Sequence, residues 1–201
     1  MALPIHDLLP EFDDSKGESP VRNLGFVAAT FLIVTAAVPS RAGAPDDLAS
    51  KIVNDPGEPQ VNGAKASLHD DSKAQGGKAL RIQVKGKGTN AWDAALESPV
   101  KKSIKAGDQV VLAFEARLEK GDNGATTAAL PFAGVQLTSA PYSSVAQNGF
   151  EIGPEWKMIE IRGKADRDYP AGSLKVSIHL ATGKQTVDFG PVIVLDLGPG
   201  G

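Results

Sequence analysis

Three histidines, two tryptophans, two tyrosines and no cysteine bound the chemistry open to this chain. Catalysis through a serine nucleophile needs a base within reach. His6, His69 and His179 lie far apart in sequence, and no Gly-x-Ser-x-Gly turn presents a nucleophile. A zinc site needs clustered imidazoles or thiolates; no two histidines are neighbours and thiolates are absent. The stretches "GKGTN" and "KGDNG" lack phosphate-loop spacing and lead into no helical pattern, so both are predicted as hairpin turns. Nothing in the spacing of Asp and Glu singles out a catalytic pair. "DDSK" and "NDPGE" offer oxygens that suit a solvated loop or a calcium shell, without EF-hand spacing. Catalysis therefore finds no positive support.

Hydrogen-bonding and stacking groups are better represented. "LKVSIHLATGKQTVDFG", residues 174–190, reads as two strands about a Gly-containing turn. Leu174, Val176, Ile178 and Leu180 share one face, while Lys175, Ser177 and His179 share the other. Treating every alternating segment in the same way sets Arg81, Gln83, Glu115, Arg117, Gln136, Thr138, Ser177, His179 and Gln185 opposite the core. Several of these carry planar groups that make paired hydrogen bonds to vicinal hydroxyls. They are either ordinary wet surface or the floor of a polar site. Trp92 follows a Gly-rich turn and Tyr142 sits in a polar loop after Pro141, so each is a candidate flat platform; Trp92 fits equally as a plug at a sandwich edge. Trp156 opens a strand and reads as structural, closing the end of the core. His69 falls in a predicted loop.

The elements that must position these groups are strands. "KALRIQVKG" alternates Leu80, Ile82 and Val84 against Arg81, Gln83 and Lys85. "DQVVLAFEARLEKGDNG" sets Val110, Leu112, Phe114, Ala116 and Leu118 on one face. "FAGVQLTSA" turns Val135 and Leu137 inward, and "EWKMIEIRGKA" does so with Ile159 and Ile161. "GPVIVLDLGPGG" adds a final apolar strand. The segment "APDDLASKIVNDPGEPQVNG" is predicted irregular because Pro45, Pro56 and Pro59 interrupt any helix. With 22 Gly, 14 Pro and only 5% aromatic residues, turns and short strands dominate. Seven or eight strands at this spacing predict an all-β fold, an antiparallel β-sandwich or jelly roll.

Residues Leu24 to Val38 form a 15-residue apolar run, short of the roughly 20 needed to span a membrane. The run follows Arg22 and leads into "PSRAGAP", so residues 21–44 read as a secretory signal peptide. The acidic residues 1–20 do not suit a signal start, and translation is expected to begin at Val21. The competing reading is an uncleaved anchor. Cleavage after Ala42 leaves 19 acidic and 18 basic residues in a nearly neutral domain, taken as residues 45–201. Formal net charge for the whole chain is −3, with signs interspersed, which argues against nucleic acid. No membrane contact is expected after cleavage, and the expected location is secreted or periplasmic.

The order "GGKALRIQVKGKGTNAWDAAL", "IKAGDQVVLAFEARLE", "GVQLTSAPYSSV", "PEWKMIEI" and "VSIHLATGKQTVDFGPVIVLDLG" resembles the carbohydrate-binding modules of the galactose-binding-like fold. These are the modules of families 4, 9 and 22, attached to bacterial xylanases and related glycosidases; the likeness spans about residues 76–197. It implies a jelly roll that binds polysaccharide on a concave sheet face without catalysis. Trp92 and Tyr142 would then be sugar-facing platforms, and Arg117, Gln136, His179 and Gln185 the hydrogen-bonding residues. It implies no cofactor, but it is compatible with a structural calcium, for which Asp188 and Glu58 are weak ligands because "VDFGPVIV" replaces the usual double Asp. A separate glycosidase is the expected partner. Two readings stand against this one: a β-sandwich that docks an envelope protein, and a small hydrolase.

Overall fold

The computed structural model describes residues 45–200; the predicted extension 1–20 with His6 and the predicted signal 21–44 lie outside the described residues. The first sheet pairs β1 (Gln60–Asn62), β4 (Ala95–Pro99), β9 (Leu174–His179), β6 (Ala128–Leu137) and β7 (Ser144–Ile152), in that order. The second pairs β2 (Lys65–Asp70), β3 (Lys78–Val84), β10 (Gln185–Pro199), β5 (Asp108–Lys120) and β8 (Lys157–Lys164). Every pairing is antiparallel. The result is the β-sandwich that the alternation predicts, with the two apolar faces turned toward each other.

The core follows the period of two. Leu96, Leu130, Val135, Val176 and Ile178 come from the first sheet, and Ile82, Leu112, Phe114, Val187 and Phe189 from the second; all are 1% exposed or less. The Phe114 and Phe189 rings meet at 6.0 Å in the middle of the second sheet. Each fully buried side chain of this size contributes roughly 1.5–3 kcal/mol of transfer free energy. Asn54 joins the layers. Its side-chain amide donates to Ser98 Oγ of β4 (2.9 Å) and to the Val192 carbonyl of β10 (2.8 Å), while its Oδ1 accepts from Val194 N (2.7 Å).

Several local expectations change. Residues Pro45–Ser50 form a short helix, α1, because proline is tolerated in the first turn, where its missing N–H has no partner to lose. The segment after it is tied to both sheets by bridges Ile52↔Leu195 and Asn54↔Val100. The two strands predicted after residue 184 are one strand, β10, whose register shifts between Phe189 and Val192, where Pro191 cannot donate to the ladder. "GKGTN" and "KGDNG" are not hairpins: each carries the chain from the second sheet to the first, β3 to β4 and β5 to β6. His69 lies on β2 rather than in a loop. Trp156 does not close the core; it lies on the outer side of the second sheet beneath the Arg117 guanidinium, 5.0 Å away.

Candidate functional site

The outer face of the first sheet carries a groove of about 520 Å³ lined by Trp92, Glu97, Phe132, Gln136, Tyr142, Lys175, Ser177 and His179. The register explains the assembly. Across neighbouring strands, Gln136 pairs with Lys175, and Glu97, Ser177 and Gly134 form the next row. Ser177 and Gly134 leave the centre of the face low. A Cβ on Gly134 would stand 2.5 Å from the Ala146 carbonyl and 3.1 Å from Phe132 Cζ, so the absent side chain is the space over which the Phe132 ring lies.

Aromatic rings gather at one end. Phe132 stacks on His179 with centroids 4.5 Å apart and planes 23° apart, and Trp92 meets the same imidazole edge-on at 5.8 Å. Trp92 remains 60% exposed. It rides on a single 3-10 turn, Ala91–Asp93, that is closed by Asn90 N donating to Asp93 Oδ2 (2.9 Å) and pinned to the turn after β9 by Ala181 N donating to the Ala91 carbonyl (2.9 Å). Gly63 abuts this turn with φ +68°, and a Cβ there would overlap the Asp93 carbonyl, so only glycine fits. Tyr142 borders the same groove, 54% exposed, with φ +55° in the β6–β7 connection. A tyrosine in the left-handed region is uncommon and locally costly.

The charged groups in the groove cancel. Lys175 Nζ lies 2.6 Å from Glu97 Oε1, both side chains being about four-fifths buried, and Asn62 Nδ2 donates to Glu97 Oε2 (3.2 Å). Burial pushes the His179 imidazole below its ordinary pKa; Glu97 opposes that shift and Lys175 adds to it. The imidazole is therefore neutral at pH 7. The groove offers flat apolar rings, a paired ammonium and carboxylate, an amide and a hydroxyl, with no net charge.

Of the six residues singled out from sequence, the structure brings Trp92, Gln136, Tyr142 and His179 together and leaves two elsewhere. Arg117 belongs to the second sheet, where Nη2 contacts Asp188 Oδ2 (2.9 Å) and Asp71 Oδ2 (2.8 Å). Gln185 pairs with Val84 and points inward; it is 5% exposed, its Nε2 donating to the Leu180 carbonyl (2.7 Å) and Thr182 Oγ1 (3.2 Å). Gln185 shares strand parity with the buried Val187 and Phe189, so the alternation of β10 itself turns it toward the core rather than the outer face. Phe132 and Glu97 are additions. Phe132 shares its parity with Gln136, which was legible; Glu97 lies on β4, a five-residue strand too short to alternate visibly.

The residues suggested for calcium do not fit one. Arg81 and Arg117 both bond the fully buried Asp188 carboxylate. Burial would raise its pKa, but those bonds outweigh it and hold the group below its usual value. Glu58 Oε2 is held by Lys101 Nζ at 3.1 Å. His69, Asp71 and Asp188 bring one ligand atom each within 4.8 Å of one another, yet Arg117 Nη2 touches both carboxylates and occupies the cation's place.

No protein-family profile and no curated protein matches the chain. Solved structures do. A CBM4 structure is 17% identical, covering 70% of this chain and 96% of that one, with a TM-score of 0.54. The N-terminal cellulose-binding domain of Cellulomonas fimi β-1,4-glucanase C is 18% identical over 72% and 91% of the two chains, TM-score 0.52. The CBM22-1 xylan-binding domain from Paenibacillus barcinonensis Xyn10C is 14% identical over 69% and 85%, TM-score 0.50. The chain shares the fold of these domains.

Proposed function

We propose that this chain is a non-catalytic carbohydrate-binding module that takes an uncharged polysaccharide, of the xylan or β-glucan kind, along the groove of the first sheet. The observation that carries this reading is the His179 imidazole, stacked on Phe132 and edged by exposed Trp92, beside the Glu97–Lys175 pair. Rings give a pyranose face an apolar bed, while Glu97, Lys175, Gln136 and Ser177 supply acceptors and donors for hydroxyls. The absence of net charge in the groove suits a neutral ligand. Solved domains named for cellulose and xylan binding share the fold, which supports the same ligand class here. The apolar run Leu24–Val38 supports export to the periplasm or medium, where a separate glycosidase would work on the same polymer.

Electrophoresis of the chain through gels containing xylan or mixed-linkage β-glucan tests this. Wild type is expected to be slowed by one of them, with a dissociation constant in the roughly micromolar to millimolar range. Trp92→Ala and Phe132→Ala should each weaken binding about tenfold or more. Unhindered migration of the wild type in every gel would sink the proposal.

A further inference from the structure

A second groove, of about 600 Å³, opens where the β5–β6 crossing and the β9–β10 turn meet the second sheet. Its lining carries four exposed lysines, Lys65, Lys85, Lys120 and Lys184, against one acid, Asp122. Among the described residues the lysines that form ion pairs are Lys78, Lys101, Lys105 and Lys175, and none of these borders the groove. Asp122 is engaged with backbone: its Oδ2 accepts from Lys184 N at 3.3 Å. Glu119 does not line the groove and faces the arginine cluster instead, 3.3 Å from Arg81 and 3.4 Å from Arg117. Four ammonium groups thus share one concavity with little to neutralise them.

Their placement is extended. Lys65 pairs with Gln83, Gln83 with Thr186, and Thr186 with Lys120, so one row across four strands runs Lys–Gln–Thr–Lys. Three inter-strand steps set the end lysines about 14 Å apart at the backbone. Between them stand an amide and a hydroxyl, the groups that serve sugar hydroxyls rather than charge. A small inorganic anion would use one or two lysines and leave the rest; an elongated chain bearing both carboxylates and hydroxyls uses the whole row. The contrast with the first groove, where Lys175 is spent on Glu97, is direct.

We infer that this second groove binds an acidic polysaccharide, a glycan bearing uronate carboxylates, independently of the neutral groove on the opposite sheet. Only the choice of a glycan as the carrier of the carboxylates rests on the function proposed above.

The test is electrophoresis of the full chain through polygalacturonate, through the same polymer fully methyl-esterified, and through polyphosphate. Wild type, Trp92→Ala and the triple variant Lys65→Gln/Lys120→Gln/Lys184→Gln are compared, with thermal melts confirming that each is folded. Wild type and Trp92→Ala are expected to be slowed by polygalacturonate, and the lysine variant to bind at least tenfold more weakly. Binding should weaken as salt rises, because each lysine–carboxylate contact is partly exposed. Esterification should abolish the effect. Equal retardation of the lysine variant, or equal binding of the esterified polymer or of polyphosphate, would overturn the inference. Loss of polygalacturonate binding in the lysine variant alone, with no xylan or β-glucan binding by wild type, would sustain this groove while removing the first.

Discussion

His179 sits between two rings and within the fields of Lys175 and Glu97, and its burial disfavours the charged form. Its folded pKa lies below the ordinary value of about 6.5. Between the two values the unfolded chain binds more protons than the folded one, so stability is complete above pH of about 6.5 and declines as pH falls. Urea unfolding at pH 7.5 and 5.5 should show a lower midpoint at the acid value, and His179→Gln should reduce that difference. The same titration should weaken polysaccharide binding, because an imidazolium beneath Trp92 holds water that a sugar must displace. The imidazole was legible from strand parity alone, as were Gln136 and Ser177. Its partner ring follows from the same rule, because Phe132 shares parity with Gln136 and lies opposite the inward Val135. Arg117 was on an outer face as predicted, but parity does not say which of two sheets a face belongs to.

At the level of strands, the second sheet is held across its outer face by a row that pairs Arg81, Asp188 and Arg117 on β3, β10 and β5. Asp188→Ala would leave two part-buried guanidinium groups facing each other. The expected cost is about 3 kcal/mol, read as a fall in denaturant midpoint with unchanged slope. This stabilisation is present above the carboxylate's unfolded pKa, about 3.9, and is lost only as pH drops through the lower folded value. On the first sheet, Gly134→Ala should disturb β7 and tilt Phe132, lowering xylan or β-glucan affinity with less effect on the melting temperature than Asp188→Ala. Strands β3, β5 and β9 were legible because apolar residues recur at every second position along each of them. The edge strands β1 and β2 were not, because most of their residues are solvated on both sides, and in β7 the exposed Gln147, Asn148 and Gly149 interrupt the buried face formed by Ala146 and Ile152.

For the molecule as a whole, the layers cohere without any disulfide through their shared apolar core, and Asn54, in a segment that sequence predicted to be irregular, adds buried hydrogen bonds to both sheets. Asn54→Ala strands the buried Val194 N–H and leaves the Ser98 hydroxyl with only its long bond to the Asp55 carbonyl, 3.5 Å. A loss of about 1–3 kcal/mol is expected in chemical unfolding. The two tryptophans fall on opposite outer faces, Trp92 in the neutral groove and Trp156 under Arg117 on the other sheet. Nature has thereby placed one fluorophore on each side of the sandwich, the first in open water and the second shielded by a guanidinium. Each sheet reports on itself: a sugar settling over Trp92 changes one emission band, rearrangement of the arginine row changes the other, and Trp92→Phe and Trp156→Phe separate the two signals without any added label.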